Sequence, residues 1–399
     1  MDATRATARN EIADSEYVAR ALTLVPKLRE RSEATNAMGR VPRDTVEEMV
    51  GEGLFTLLQP KRFGGTERGL VPFLDCVIAL ASGCGSAGWV FSVVSIHSFH
   101  LGLFGLDAQE EVWSQDANAL LASSYMPGGK TRAVPGGYRL SGQWKFSSGC
   151  DIGDWFILGG LVDGGEGKPP VPHYFLLPKD DVRIDHDSWH VMGLAGTGSK
   201  DVAVDDAFVP SHRLLSMQEA YDGVSPGSKI NPYPLYHLPM MSVFPLCLSA
   251  PGVGVAKGAV ARYVEMMKSF TTKSRGQTVA DFHNSQIRLA EASALVESAE
   301  LLLQRDVRET MAVRASRQLT AEERVRNRRD HAWAAETSTR AADLLYKMTG
   351  GAGLHEGNAL LRSFRDAHAI GMHLGNNWDV AGPLYGSVML GRPAASGIF

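Results

Sequence analysis

Ser141-Gly-Gln-Trp-Lys-Phe-Ser-Ser-Gly149, running on to Asp154-Trp-Phe156, sets aromatics at alternate positions, Trp144 and Phe146, and then two hydroxyls, Ser147 and Ser148. Alternation with a period of two is the pattern of a β-strand. An apolar wall with hydroxyls beside it suits a planar heteroaromatic ligand; taken alone, the same stretch also reads as an ordinary strand and turn. Its surroundings extend the β reading. From about residue 120 to 225, apolar runs at 155–162, 174–178 and 202–209 are separated by Pro-Gly-Gly, Asp-Gly-Gly and Pro-Lys-Asp-Asp turns, the rhythm of an antiparallel β domain.

Both flanks change to helical periodicity. Residues 15–32 place Val18, Leu22, Leu24, Val25 and Leu28 on a roughly helical stripe, and 70–81 and 89–104 are strongly apolar. After about 235, residues 286–317 form a long periodic segment. Thr320-Ala-Glu-Glu323 opens another helix with a capping box, Gly350-Gly351 closes it, and 358–373 form a third. The order is α, then β, then α: an α+β chain with a helical domain over 1–118, a β domain over 119–228 and a helical bundle over 229–399.

Composition bounds the function by exclusion. The 399 residues carry 40 Lys and Arg against 44 Asp and Glu, a net charge of −4, which argues against a nucleic-acid or membrane-surface binder. Cys76, Cys84, Cys150 and Cys247 are scattered, with no Cys-x-x-Cys pair, so a disulfide framework and a zinc site are not expected. Reduced thiols and an acid-bearing N-terminus without an apolar run lead us to expect a cytoplasmic protein. Stretches 88–106 and 238–257 approach membrane-span length. His97 and His100 in the first and Pro245 and Pro251 in the second favour buried helices.

Gly83-Cys-Gly-Ser-Ala-Gly88 matches the dinucleotide fingerprint letter for letter, but 73–82 before it reads as helix and no βαβ rhythm follows. The better reading is a glycine-rich link between helices. Phosphate-loop, nucleophile-elbow and zinc-protease signatures are absent. Arg324, Arg326, Arg328 and Arg329 could suggest an anion site; with Glu322 and Glu323 beside them they read as a solvated helix face.

The α–β–α order and the Ser-Gly-x-Trp-x-Phe-Ser-Ser-Gly strand resemble the acyl-CoA dehydrogenase superfamily over about residues 15–390. So do Gly193-Leu-Ala-Gly-Thr-Gly-Ser199, Asp205-Asp-Ala-Phe-Val-Pro210 and Arg365-Asp-Ala367. The resemblance implies flavin contacts at Ser124, Phe146, Ser147, Ser148, Thr197 and Ser199, with Ser148 at the flavin N5 edge. It also implies contacts from a neighbouring subunit at Arg275, Gln286, Gly350 and Gly351. Family members of the common type carry a Glu base after the Arg-Asp-Ala segment; here Leu374 stands at that position, and leucine cannot take a proton. Glu265 and Glu356 are the substitutes a dehydrogenase reading would need.

A helix carrying Trp89 and, two turns on, His97, together with His373 and Ser148, looks like the two-component flavin-dependent monooxygenases of this superfamily, notably phenol hydroxylases. Trp189 to Ser199, with His190, is similar to a motif of that branch. A lone His on an apolar helix is more often a core residue, so the assignment rests on the set. The resemblance implies His97, His373 and Ser148 as catalytic residues and Trp89, His97, Ser123, Met240 and Trp378 as substrate contacts; His100, His331, His355 and His368 read as structural or surface groups. It further implies reduced FMN or FAD from a separate NAD(P)H:flavin reductase, oxygen transfer to an aromatic ring through a flavin C4a-hydroperoxide, a homotetramer, and no metal. N- or S-oxygenation, or a dehydrogenase-like oxidoreductase, are the alternatives.

Overall fold

The computed structural model describes residues 2–269 and 278–393. The N-terminal part comprises α1 (Asp2–Met38), α2 (Arg43–Gly51), α3 (Leu70–Gly83), α4 (Gly85–Leu101) and α5 (Leu106–Trp113). Next come β1 (Leu121–Val134), β2 (Gly137–Ser147), β3 (Trp155–Val162), β4 (Val171–Pro178), β5 (Arg183–Asp185), β6 (Lys200–Pro210) and β7 (Leu214–Ser216). The short α6 (Met217–Asp222) leads into α7 (Phe244–Ser269), α8 (His283–Arg314), α9 (Ala321–Lys347), α10 (Ala359–Gly371) and α11 (Trp378–Met389).

Every residue of α4 is buried, so this helix, apolar on all sides, runs through the core rather than over it. Gly83 ends α3 and Gly85 begins α4, so the Gly83–Gly88 segment is a link between helices and follows no strand. A Cβ on Gly88 would lie 2.4 Å from the Ala81 Cα, which is why glycine is required where the two helices cross. Residues 240–268 are long and apolar enough to cross a membrane by length and composition. In the fold 83% of their most apolar window is buried, and Pro251 sits within α7. All four cysteines are free and buried.

The sheet order is β5-β6-β2-β1-β3-β4-β7. One refinement to the sequence expectation concerns direction: β1 and β3 pair in parallel, so the sheet is mixed, while its other neighbours are antiparallel. Period-two alternation fixes which face a side chain takes but not which way the neighbouring strand runs. The Trp144 indole is packed inside the sheet layer and donates to the Gly159 carbonyl at 2.8 Å, so it is not part of an exposed aromatic wall. The β2–β6 register slips between Trp144 and Ser147, and Phe146 takes a φ of +60° there. That bulge turns Phe146 out to 67% exposure. Thr320 and Glu323 form the expected capping box of α9.

Candidate active site

α4 threads between the sheet and the C-terminal helices and supplies both ends of the site. Near its start, the Trp89 indole N–H donates to the Ser148 Oγ at 3.0 Å. Ser148 in turn shares a hydrogen bond of 2.6 Å with Ser199, and Ser199 one of 2.7 Å with Thr197. The ring of His373 lies 5.8 Å from that of Trp89. The fold thus joins Trp89, Ser148, Thr197, Ser199 and His373, drawn from α4, the end of β2, the loop before β6 and the turn after α10.

His97 sits eight residues further, ~12 Å along the helix axis. Its Nδ1 is 2.6 Å from the Leu121 carbonyl. A carbonyl oxygen can only accept, so Nδ1 carries the proton and Nε2 is the acceptor; Ser123 Oγ donates to it at 2.8 Å. Burial pushes the imidazole down to about 4, so the ring is neutral. His100, one turn on, pairs through Nδ1 with the Tyr125 hydroxyl at 2.8 Å and is wedged edge-on against Tyr125 and Tyr174.

His373 shows the opposite tautomer. The Gly375 N–H donates to its Nδ1 at 2.9 Å, leaving Nε2 as the protonated, donating nitrogen. The residue is solvent-exposed. Surrounding protein, then the charge of Arg328, push it down to about 4. His373 is not on a bundle helix as expected: α10 ends at Gly371, and His373 caps the 3-10 turn Leu374–Asn376.

Sequence reading missed the supports of this site, because their partners lie far away along the chain. The Leu194 N–H donates to the Asp366 carboxylate at 2.7 Å, tying the Gly193–Ser199 loop to α10. Leu194 holds a φ of +55°, and a Cβ on Gly193 would come within 2.1 Å of the Arg365 carbonyl, so the loop lies flush against that helix. The Asn36 side chain accepts from the Gly196 N–H and from Ser86, at 3.2 and 3.1 Å.

Other sequence candidates fall elsewhere. Ser147 is fully buried with an unpartnered hydroxyl, so it is enclosed where a flavin contact was expected. Met240 is 1% exposed within the core, whereas nearby Phe244 reaches the ring of Tyr125 at 4.9 Å. Ser124 donates to the Lys145 carbonyl beside the Phe146 bulge. Trp378 packs on Trp333, 5.2 Å between rings, rather than on His97. Gln286 donates to Ala280, and it, Gly350 and Gly351 lie at the surface, making none of the cluster's hydrogen bonds or ring contacts. Arg275 lies outside the described residues. Of the carboxylates a dehydrogenase would need, Glu265 is ion-paired with Arg29 and Glu356 is exposed. Among the described residues, no group of three His, Cys, Asp or Glu could hold a metal.

Family models for the N-terminal and C-terminal domains of acyl-CoA dehydrogenases match residues 16–118 and 246–378. The chain is 39% identical over 372 residues to the oxygenase subunit HsaA of a flavin-dependent monooxygenase from Rhodococcus jostii (strain RHA1), covering 93% of this chain and 97% of that one. The chain belongs to this family of flavin-dependent monooxygenases. It is also 36% identical to the oxygenase component of an FADH(2)-dependent resorcinol hydroxylase from Rhizobium sp. (strain MTP-10005), with 94% of each chain covered. The crystal structure of 3-HSA hydroxylase from Rhodococcus sp. RHA1 superposes with a TM-score of 0.91 at 38% identity, covering 96% of this chain and 99% of that one. XiaF from Streptomyces sp., solved with FADH2 and glycerol, gives 0.89 at 27%, covering 98% of each chain. The fold class and the monooxygenase resemblance read from the sequence both hold.

Proposed function

We propose that this monooxygenase hydroxylates a phenol-like aromatic ring, using reduced FMN or FAD delivered by a separate NAD(P)H:flavin reductase in a reducing, cytoplasmic setting. The observation that carries the reading is the His97 tautomer: a buried neutral ring whose Nε2 is an acceptor, met by the Ser123 hydroxyl, on the same helix as the Trp89 that holds Ser148.

The residues present fit a flavin. Phe146, turned out by the bulge and 6.1 Å from the ring of Trp189, offers an apolar face, and the linked hydroxyls of Ser148, Ser199 and Thr197 offer an edge of donors and acceptors. When bound, the reduced flavin supplies activation of O2 and the oxygen atom transferred. Trp89 orients the Ser148 hydroxyl, so that group meets the cofactor edge in one direction. His97 holds the substrate hydroxyl through Nε2, displacing or relaying through Ser123, and takes up its proton, which makes the ring a better nucleophile. His373 presents Nε2–H from the other side as a neutral donor. The rings of Tyr125, Tyr174 and Phe244 keep water from the substrate end.

A generic flavin reductase, NADH, oxygen and a panel of phenols test the reading, with products followed by mass spectrometry. One added oxygen, with consumption of reductant matching product, is the expected result. Hydrogen peroxide released in full with every phenol would overturn it, and anaerobic bleaching of bound oxidised flavin by an acyl-CoA would support the dehydrogenase alternative.

A further inference from the structure

The arginine-rich run on α9 reads from sequence as a solvated face, yet Arg328 is 3% exposed. Its Nη2 donates to the Leu374 carbonyl at 3.4 Å, while Nε and Nη1 are buried without a partner. Its neighbours are differently placed: Arg326 pairs with Glu309, and Arg329 pairs with Asp330 and lies over the Tyr385 ring. Among the described residues no carboxylate pairs with Arg328, and burial lowers its guanidinium to about 10. A buried cation without a counter-ion is costly to a fold, and such violations gather where function requires them.

The carbonyl that Arg328 holds belongs to the turn capped by His373. In that turn the Gly375 N–H fixes His373 Nδ1, and the Asn376 amide clamps the Leu248 and Ile370 carbonyls at 2.9 Å each. The elements around the turn carry several charged or titratable groups: His97 and His100 on α4, Cys247, Lys257 and Arg262 on α7, His331 and Arg329 on α9, and Arg362, Arg365, Asp366 and His368 on α10. After desolvation, the charge that lowers His373 is that of Arg328. His331, one turn along α9, is likewise held neutral by burial and by Arg328.

We propose that Arg328 is a positioning residue. It holds the Leu374–Asn376 turn, and His373 with it, through its hydrogen bond, and its uncompensated charge adds to the desolvation that disfavours an imidazolium there, so that Nε2–H stays presented to the site as a donor. The role attached to His373 rests on the oxygenase reading above; the effect of Arg328 on the ring does not.

Histidine Cε1–H exchange in the full-length protein, read peptide by peptide by mass spectrometry, gives the protonation midpoint of His373. In the wild type it should lie below the ordinary histidine value. Arg328→Met should raise it by about one unit, a tenfold change in protonation, and Arg328→Lys should leave it low. Arg328→Gln is the second neutral variant should Arg328→Met fail to fold. Hydroxylated product per NADH consumed should fall in the neutral variant at pH 5 and recover at pH 8, whereas a merely structural defect would lower it equally at both. An unshifted midpoint in a folded neutral variant, an ordinary midpoint in the wild type, or a pH-independent loss would each overturn the proposal. A shifted midpoint in a wild type that oxygenates no phenol would sink the oxygenase reading and leave the positioning role standing.

Discussion

A hydrogen bond to a carbonyl decides what His97 can do. Because the Leu121 oxygen claims Nδ1–H, Nε2 has no proton to give and can only accept. His97→Ala should therefore leave flavin binding intact while lowering the hydroxylation rate by about 10²–10⁴, the span of a lost general base. Single-turnover mixing of reduced flavin, oxygen and a phenol measures this as peroxide formed in place of product. Ser123→Ala should act more mildly, through KM, since a substrate hydroxyl takes over the acceptor. Burial also gives His97 a pH signature in stability. Its folded value of about 4 lies below the unfolded 6.5, so the unfolded chain binds a proton first. The stabilising contribution is complete above pH 6.5 and is lost as pH falls from 6.5 through 4. Urea titrations of wild type and His97→Gln should converge across that window; a constant gap would contradict the neutral ring.

At the scale of elements, the Gly193–Ser199 loop and α10 are held together by one carboxylate. Asp366 accepts from Leu194, and burial raises its own value to about 6. A lost hydrogen bond to a charged acceptor costs about 1.5–3 kcal/mol. Asp366→Ala should accordingly weaken flavin binding by roughly tenfold or more, through displacement of Thr197 and Ser199, as read by fluorescence titration with FMN and FAD. Elements of this kind divide by how far their causes reach along the chain. The capping box at Thr320 and Glu323, the α3–α4 link and the apolar run of α7 follow from neighbours a few residues apart and were legible in the sequence. Ser148, His97 and His373 were legible only as a set with a family resemblance. The Phe146 bulge, the parallel β1–β3 pairing, the burial of Met240 and Arg328, and the Asp366 tie depend on partners tens to hundreds of residues away. Local periodicity carries no trace of such partners.

The whole molecule leaves part of its expected cofactor site unassembled on one chain. Gln286, Gly350 and Gly351 lie at the surface and make none of the contacts of the Ser148 cluster. The C-terminal part meanwhile exposes large apolar side chains: Trp333 and Trp378, whose rings meet at a tilt, with Leu354, Leu374, Met389 and Leu390 also open. Large exposed apolar side chains are the kind of surface that a closed symmetric assembly covers, and we propose that they do so here. A site shared across such an interface would couple assembly to flavin affinity. Light scattering on eluted protein should therefore give a mass that is a multiple of 43.1 kDa, a tetramer being the family expectation. Trp333→Glu should shift the population toward monomer. If Gln286 and the Gly350-Gly351 turn reach the flavin of a neighbour, the monomeric fraction should also lose flavin affinity, although its own Trp89–Ser148–Ser199 cluster is untouched. A monomer that binds flavin as tightly as the assembly would show that one chain builds the whole site.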